Sequence, residues 1–491
     1  MIPITSSEVA VQAPSLLNDI LGLQSVIILF FMAMVLLIIE AVSKGQERWN
    51  LAAITSLPIL AAIALSLNSD GPSTIFSGMV AVDAYGQFFS VLFGIAALFV
   101  VLLSPDYLKK IDVDFGEYYA LILFSLMGMI LMATANDLIL MFVALEIMSI
   151  AMYILAAIRR DNPKSVESGF KYFILGAFSS AIFLYGIAFV FGATGTTNLH
   201  EIGSVIASGE AGSTLLVGAG LMLVGFAFKI GSVPFHMWVP DVYEGAPTTV
   251  TALMATGIKA ASFAAFGRVL LTAFPDLSGE WVCVVWTISA LTMVLGNVAA
   301  LVQDDLKRML AFSSVGHAGF VLMALVAFDG AHAMLFYLFG YTFMTLGAFA
   351  ILGMIDDEGK GTDISSINGL ASRHPWLAAG LSLVLLSLAG IPPTIGFIGK
   401  FSLFVAAVNG GYVVLAVIGA LSGAIGVYYY LRPIIAMYMR EPDGESLLTV
   451  SRAGAVVIGL ACAVILLFGL LPELIMPMCR EGIAAITGLV S

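Results

Sequence analysis

The chain is a succession of long, nearly uninterrupted apolar runs separated by short polar stretches. About fourteen runs reach the ~20 residues a bilayer-crossing helix needs. They lie near 17–43, 49–67, 84–104, 115–134, 137–157, 165–193, 213–233, 248–273, 281–302, 309–328, 331–354, 375–409, 412–438 and 452–471. The runs are continuous rather than alternating, which excludes porin-like strands. The expected fold is therefore an all-α polytopic membrane protein.

Two runs are interrupted. The seventh reads Phe228-Lys229-Ile230-Gly231-Ser232-Val233-Pro234-Phe235-His236, and the twelfth reads Ala389-Gly390-Ile391-Pro392-Pro393-Thr394. Proline removes a donor and clashes with the preceding turn. In lipid the freed backbone groups must be met by protein or water, so both breaks are expected to face the interior. Runs four to eight and nine to thirteen form two units of five, with the broken helix fourth in each. Five is odd, so the second unit runs inverted to the first. Broken helices at matching places of inverted halves mark a transport pathway. The expected division is 1–114 for three N-terminal helices, 115–273 and 274–440 for the two repeats, and 441–491 for a last helix and tail.

Composition sharpens this picture. Of 491 residues, 60% are hydrophobic and 11% charged, with a net charge of -12. A water-facing surface needs roughly 25–35% charged residues, and a nucleic-acid binder needs a basic footprint. Both classes are excluded. The 20 Lys and Arg are distributed unevenly. With the N-terminus outside, thirteen fall in inner loops: Lys44, Arg48, Lys109, Lys110, Arg159, Arg160, Lys164, Lys307, Arg308, Lys360, Arg373, Arg440 and Arg452. The outer loops hold Arg480 alone, among Asp70, Asp83, Glu201, Glu210, Asp276, Glu280 and Asp329. The positive-inside rule then puts both termini outside. No basic residue precedes Lys44, so the first run is expected to be a retained helix rather than a cleaved signal. Cys283, Cys462 and Cys479 form no metal or cluster framework and are expected to be buried thiols.

The six remaining cations lie inside apolar runs: Lys171, Lys229, Lys259, Arg268, Lys400 and Arg432. Arg268 and Arg432 are near run ends and are read as snorkelling anchors. The lysines differ. Lys259 is ~16 Å into its run and Glu146 ~15 Å into its own, so both are near mid-depth. Lys229 adjoins the first break and Lys400 follows the second. A lysine stem of about 6 Å does not reach water from mid-depth. The partners of Lys229 and Lys259 must therefore come from other helices. Lys171 has Glu167 four residues before it and could be a local interfacial pair. His317, within Ser313-Ser314-Val315-Gly316-His317, suits proton relay or a satisfied core position. His236 is the most suggestive of the other histidines.

Sodium or potassium sites want carboxylate and carbonyl oxygens. Lysines dominate here, which favours proton exchange, because a lysine buried without a counter-charge can exchange its proton near neutral pH. Moving a proton against ~150 mV costs roughly 3.5 kcal/mol. No Walker motif, dinucleotide fingerprint or metal-ligand set is present to supply it. A driving partner is expected.

Three segments resemble the antiporter-like membrane subunits of respiratory complex I. They are Glu146-Ile-Met-Ser-Ile-Ala-Met-Tyr153, the stretch from Phe235-His-Met-Trp238 through Pro-Asp241-Val-Tyr-Glu244-Gly-Ala-Pro247 to Thr251, and Gln303-Asp-Asp-Leu-Lys307-Arg308 through His317. The Pro-Asp-Val-Tyr-Glu-Gly-Ala-Pro form is most similar to the N-type subunits. The resemblance implies a proton-pumping subunit in an assembly that oxidises NADH and reduces quinone. It implies that NAD, FMN, iron–sulfur clusters and quinone sit in partner subunits, with no cofactor, metal or redox centre in this chain. It further implies other complex I membrane subunits as partners, no nucleic acid, and a bacterial inner-membrane location. Position by position, it carries relay roles onto Glu146, Lys171, Lys229, Lys259, His317 and Lys400. Lysine at 400 favours the N type over the M type, where glutamate is typical, and the short tail disfavours the L type. Two other readings share the fold: a subunit of a multisubunit Na+/H+ antiporter, or of an energy-converting membrane hydrogenase. A pure scaffold is the third, and it would tolerate lysine-to-leucine changes.

Overall fold

The computed structural model describes residues 19–42, 48–67, 73–113, 115–209, 212–327, 330–356, 362–442 and 450–488. Lys44, Asp70, Glu210, Asp329, Lys360 and the side chain of Arg48 lie outside the described residues. The helices, in chain order, are α1 (Gln24–Val42), α2 (Arg48–Leu67), α3 (Ala84–Lys110), α4 (Glu117–Thr134), α5 (Leu138–Ala156), α6 (Pro163–Thr194), the short α7 (Leu199–Ala207), α8 (Ser213–Ile230), α9 (Trp238–Gly245), α10 (Thr248–Ala273), α11 (Ser278–Leu301), α12 (Leu306–Val326), α13 (His332–Ile355), α14 (Pro375–Ala389), α15 (Ile395–Asn409), α16 (Val413–Met439), α17 (Arg452–Leu470) and α18 (Met476–Thr487).

Thirteen of the described helices are long and apolar enough to cross a membrane. The twelfth run is divided into α14 and α15, each too short alone. Local chemistry sets many boundaries. Asp137 caps α5 by accepting from Ile139 and Leu140 amides. Asn162 caps α6 just before Pro163, and Gly195 closes that helix in the left-handed conformation.

Both interruptions form where the Gly/Pro pattern places them. Gly231 and Gly390 have positive φ, and three residues after each comes a cis proline, Pro234 and Pro393. The freed backbone groups are met by protein, as hydrocarbon demands. Trp238 Nε1, across the first break, donates to Phe228 O at 3.1 Å. Val233 N donates to Thr292 Oγ1 on α11 at 3.0 Å.

Some local structure departs from the expectation. Within the all-α bundle, Ser73–Ile75 (β1) and Val80–Val82 (β2) pair as a small antiparallel hairpin beside Asp83. α3 continues to Lys110, past the expected end near 104, with Pro105 inside it. Helix α10 contains two π-helical turns, Met254–Ile258 and Val269–Ala273. Cys283 is exposed, Cys462 is half-buried and Cys479 is buried. The expectation of three buried thiols thus fails at Cys283, which is on the outward face of α11.

The enclosed centre is α10, α12 and α13, whose apolar stretches are 100%, 94% and 89% buried; α1, α2, α11 and α17 are at most a third buried and form the rim. α11 and α12 meet backbone to backbone. A Cβ on Gly296 would be 2.4 Å from Gly316 N. Small residues permit this approach in a membrane bundle, and it fixes the helix that carries His317.

Candidate functional site

Lys229, Lys259, His317 and Lys400 are all buried, with 3–7% exposure. They come from α8, α10, α12 and α15, so separate helices converge on the bundle interior.

Lys229 occupies the last turn of α8. Its ammonium donates to Ser149 Oγ at 2.8 Å and Tyr153 OH at 3.2 Å, both on α5. The rings of Tyr153, Tyr172 and Phe228 surround it, with centroids 5.4, 5.7 and 5.9 Å from Nζ. Tyr172 stacks in turn on Trp238 at 4.6 Å. Glu146 lies one turn before Ser149 on α5. Its Oε1 is buried, and among the described residues it has neither a hydrogen-bond partner nor an ion pair with Lys229.

Lys259 begins just after the first π turn of α10 and donates to Ser314 O at 2.7 Å and to Ser314 Oγ, both on α12. One turn on, His317 Nδ1 shares a 2.5 Å hydrogen bond with Tyr337 OH, and Nε2 shares one of 2.9 Å with Tyr430 OH. Tyr430 also hydrogen-bonds Ser313. One further turn along α12, the Phe320 ring is 5.2 Å from Lys400 Nζ. Lys400 reaches back across the second break to Leu388 O at 2.8 Å and Ala389 O at 3.0 Å. The two break lysines thus share an electrostatic setting. Each ammonium lies at the C-terminal end of a half-helix, where carbonyl dipoles point at it.

These ammonium groups have hydroxyls, carbonyls and ring faces around them, and no carboxylate among the described residues bonds any of them. Neutral acceptors hold a lysine in either charge state. A carboxylate partner would lock it as a cation.

Lys171 lies apart from this row. It is 37% exposed and pairs with Glu167 at 2.6 Å and Asp241 at 2.8 Å. Asp241 also pairs with Arg308, Arg308 with Glu244, and Glu244 with Lys164, at 2.8–2.9 Å. This network ties α6, α9 and α12 together at the Lys/Arg-rich end. Arg268 does not snorkel as expected. It is 2% exposed and makes a two-pronged bridge to Asp83, at 2.7 and 2.9 Å, while Nε donates to Ala133 O. Asp83 sits next to the hairpin, and that tertiary approach leaves no mark in the sequence. Arg432 behaves as an end anchor, donating to Leu301 O and Gln303 O at 3.0 Å and pairing with Asp304.

The residues that sequence reasoning missed are the hydroxyl partners: Ser149, Tyr153, Ser313, Ser314, Tyr337 and Tyr430. Spacing held part of the signal. Ser149 and Tyr153 follow Glu146 by three and seven residues, one helix face.

The comparisons with known proteins agree with one another. Residues 135–426 match the family described as NADH:quinone oxidoreductase/Mrp antiporter, transmembrane. NADH-quinone oxidoreductase subunit N of Trichlorobacter lovleyi is 42% identical over 468 residues, covering 94% of this chain and 96% of its own. A chain in the structure of respiratory complex I from Thermus thermophilus with bound aureothin is 36% identical, with TM-score 0.80, covering 92% of this chain and 98% of that one. A chain of the Mrp complex from Dietzia sp. shares the fold at TM-score 0.86 and 20% identity, covering 96% and 98%. At 42% identity over nearly its whole length, the chain belongs to the subunit N family of NADH-quinone oxidoreductases.

Proposed function

We propose that this chain is a proton-translocating membrane subunit of NADH-quinone oxidoreductase. Protons pass along Glu146, Lys229, Lys259, His317 and Lys400, driven by redox chemistry in partner subunits. One observation carries this reading: among the described residues, the hydrogen-bond partners of three buried lysines are all neutral. A structural ion pair would give each a carboxylate. A cation site would present oxygens rather than ammonium groups. Here each lysine can release and regain a proton without leaving an orphaned buried charge, and a change of charge at one site shifts the balance at the next.

Lys171 takes part at the margin, through its contact with Asp241 on α9, the half-helix beyond the first break. NAD, FMN, iron–sulfur clusters and quinone belong to the partner subunits, and the other membrane subunits of the complex flank this chain. The assembly lies in a bacterial inner membrane, with the Lys/Arg-rich end cytoplasmic and both termini outside. Residues 115–273 and 274–440 act as two inverted units, each carrying one broken helix.

The test is NADH-driven proton pumping in membranes carrying Lys229→Ala or Glu146→Ala. Both variants are expected to assemble and to pump at a small fraction of the parent rate. Normal pumping by both would overturn the relay assignment. Purification from native membranes separates the other readings. Co-purifying flavin and iron–sulfur subunits fit the present one, whereas cation-exchange partners would fit a multisubunit Na+/H+ antiporter.

A further inference from the structure

Of the buried aspartates among the described residues, Asp83, Asp137 and Asp356, only Asp356 has a buried oxygen without a hydrogen-bond partner. Asp356 follows the last residue of α13 and is 3% exposed. Its Oδ2 accepts from Tyr107 OH at 3.2 Å and from Thr248 Oγ1 at 3.3 Å. Its Oδ1 is buried, and no group among the described residues donates to it. Buried polar atoms almost always have a donor or acceptor, in the protein or in water. The cation facing it from α12, Lys307, gives its own hydrogen bond to Ala246 O at 2.8 Å and acts on Asp356 only at longer range.

The surroundings point to what this incompletely bonded carboxylate serves. A cavity of about 700 Å³ opens between α3, α13 and the start of α17, walled in part by Asp106, Tyr107, Lys109, Thr249 and Arg452. Lys109 and Arg452 are exposed, so this is the Lys/Arg-rich end. Tyr107 is the partition: it lines the cavity, and its hydroxyl bonds the carboxylate of Asp356. Thr248 is the first residue of α10, and Lys259 lies three turns along that helix, ~16 Å away at 1.5 Å per residue.

We propose that Asp356 and Tyr107 form the proton-uptake port of the relay at the Lys/Arg-rich end. A hydronium ion in the cavity gives a proton to the Tyr107 oxygen and becomes water, as that hydroxyl's own proton passes to Asp356 Oδ2. One O–H bond breaks at the hydronium and one forms at tyrosine, while tyrosine's original O–H bond breaks and one forms at the carboxylate. The resulting carboxylic acid is the donor for the next site inward, toward Lys259. Thr248 holds the carboxylate against the start of α10 throughout. This proposal rests on the lysine-relay reading.

The competing explanation is structural: Asp356 simply pins α3, α10 and α13 together. The Asp356→Asn variant separates the two, because asparagine keeps an acceptor in the same place and cannot be protonated. The experiment measures NADH-driven proton pumping by the intact complex in membrane vesicles, beside NADH oxidation and the amount of assembled complex. Lys259→Ala runs in parallel. The port predicts that Asp356→Asn assembles and pumps at least fivefold more slowly, and that Asp356→Glu restores at least half the rate. If Asp356→Asn does not assemble, Tyr107→Phe, which deletes one hydroxyl, takes its place with the same expected loss. Normal pumping by Asp356→Asn or its substitute, with Lys259→Ala inactive, overturns the port and leaves the relay standing. Normal pumping by Lys259→Ala overturns the relay and the port with it.

Discussion

The charged side chains of the bundle interior fall into two kinds. The lysines of the row have neutral partners, whereas Arg268 has a carboxylate, and the difference decides what each can do. Breaking the Asp83–Arg268 bridge from one side strands a charge in a nearly closed site. Asp83→Asn is expected to destabilise the chain by about 3–5 kcal/mol at neutral pH. Adding Arg268→Met should recover most of it. Thermal melts of the purified protein in detergent would check both. The same pair predicts a pH dependence. Burial pushes the Asp83 carboxyl up, but the charge and hydrogen bonds of Arg268 and the Gly86 amide outweigh it. Its folded-state value therefore lies below the usual 3.8. The unfolded chain takes up this proton first as pH falls. The contribution is fully present above about pH 4 and is lost as pH drops through the lower folded-state value. The gap between parent and Asp83→Asn should accordingly close only in that acid window. At this scale the sequence was legible wherever a charge interrupts an apolar run, which singles out Lys229, Lys259 and Lys400. It was silent on their partners, because a serine or tyrosine within an apolar run is ordinary. It misjudged Arg268 because the carboxylate that holds it lies 185 residues away in the chain.

Among the elements, the breaks were the most legible feature, since glycine and proline act on the backbone directly. The π turn ahead of Lys259 was not, because a lone glycine in Met-Ala-Thr-Gly-Ile does not distinguish a widened turn from an ordinary helical one. Helix–helix approach lies between these cases. Gly296 and Gly220 look alike in sequence, yet the structure assigns them different consequences. A methyl on Gly296 would be 2.4 Å from Gly316 N, whereas one on Gly220 of α8 meets nothing within 4 Å. Gly296→Ala is therefore expected to force α11 from α12 and cost about 1–3 kcal/mol. Gly220→Ala should be neutral or stabilising by up to about 1 kcal/mol. Opposite signs in paired melts would verify the backbone contact, and equal shifts would refute it.

For the molecule as a whole, enclosure is graded: a closed centre of α10, α12 and α13 inside a rim of half-exposed helices. The gradient has a chemical readout in the cysteines. Cys283 is on the outward face of α11, while Cys479 of α18 is buried against the bundle and its thiol is pushed up to about 12 by that burial. An apolar maleimide at pH 8 should modify Cys283 in the solubilised protein and spare Cys479, as read by mass spectrometry. Faster reaction at Cys479 would mean that α18 does not rest where the structure has it. The membrane class and the number of crossings followed from hydropathy, and the two interruptions from glycine and proline, because lipid leaves the backbone few alternatives. The hairpin, the cavity beside Tyr107 and the packing order of the helices did not, since each depends on contacts between distant segments.

Helix α10 is tied down at both ends, and to the same neighbour. Tyr107 of α3 accepts from the Thr248 amide at its first residue, and Asp83, the cap of α3, grips Arg268 near its last turn. A rod fastened at two points to a stiff frame can neither slide as a piston nor swing as a lever. Any displacement of Lys259 has to be absorbed within the span, by winding and unwinding about its own axis. The widened turn Met254–Ile258 lies within that span, immediately before the lysine. The mechanics of the central helix are those of a torsion spring, with the Lys259 side chain mounted beside its widened coil.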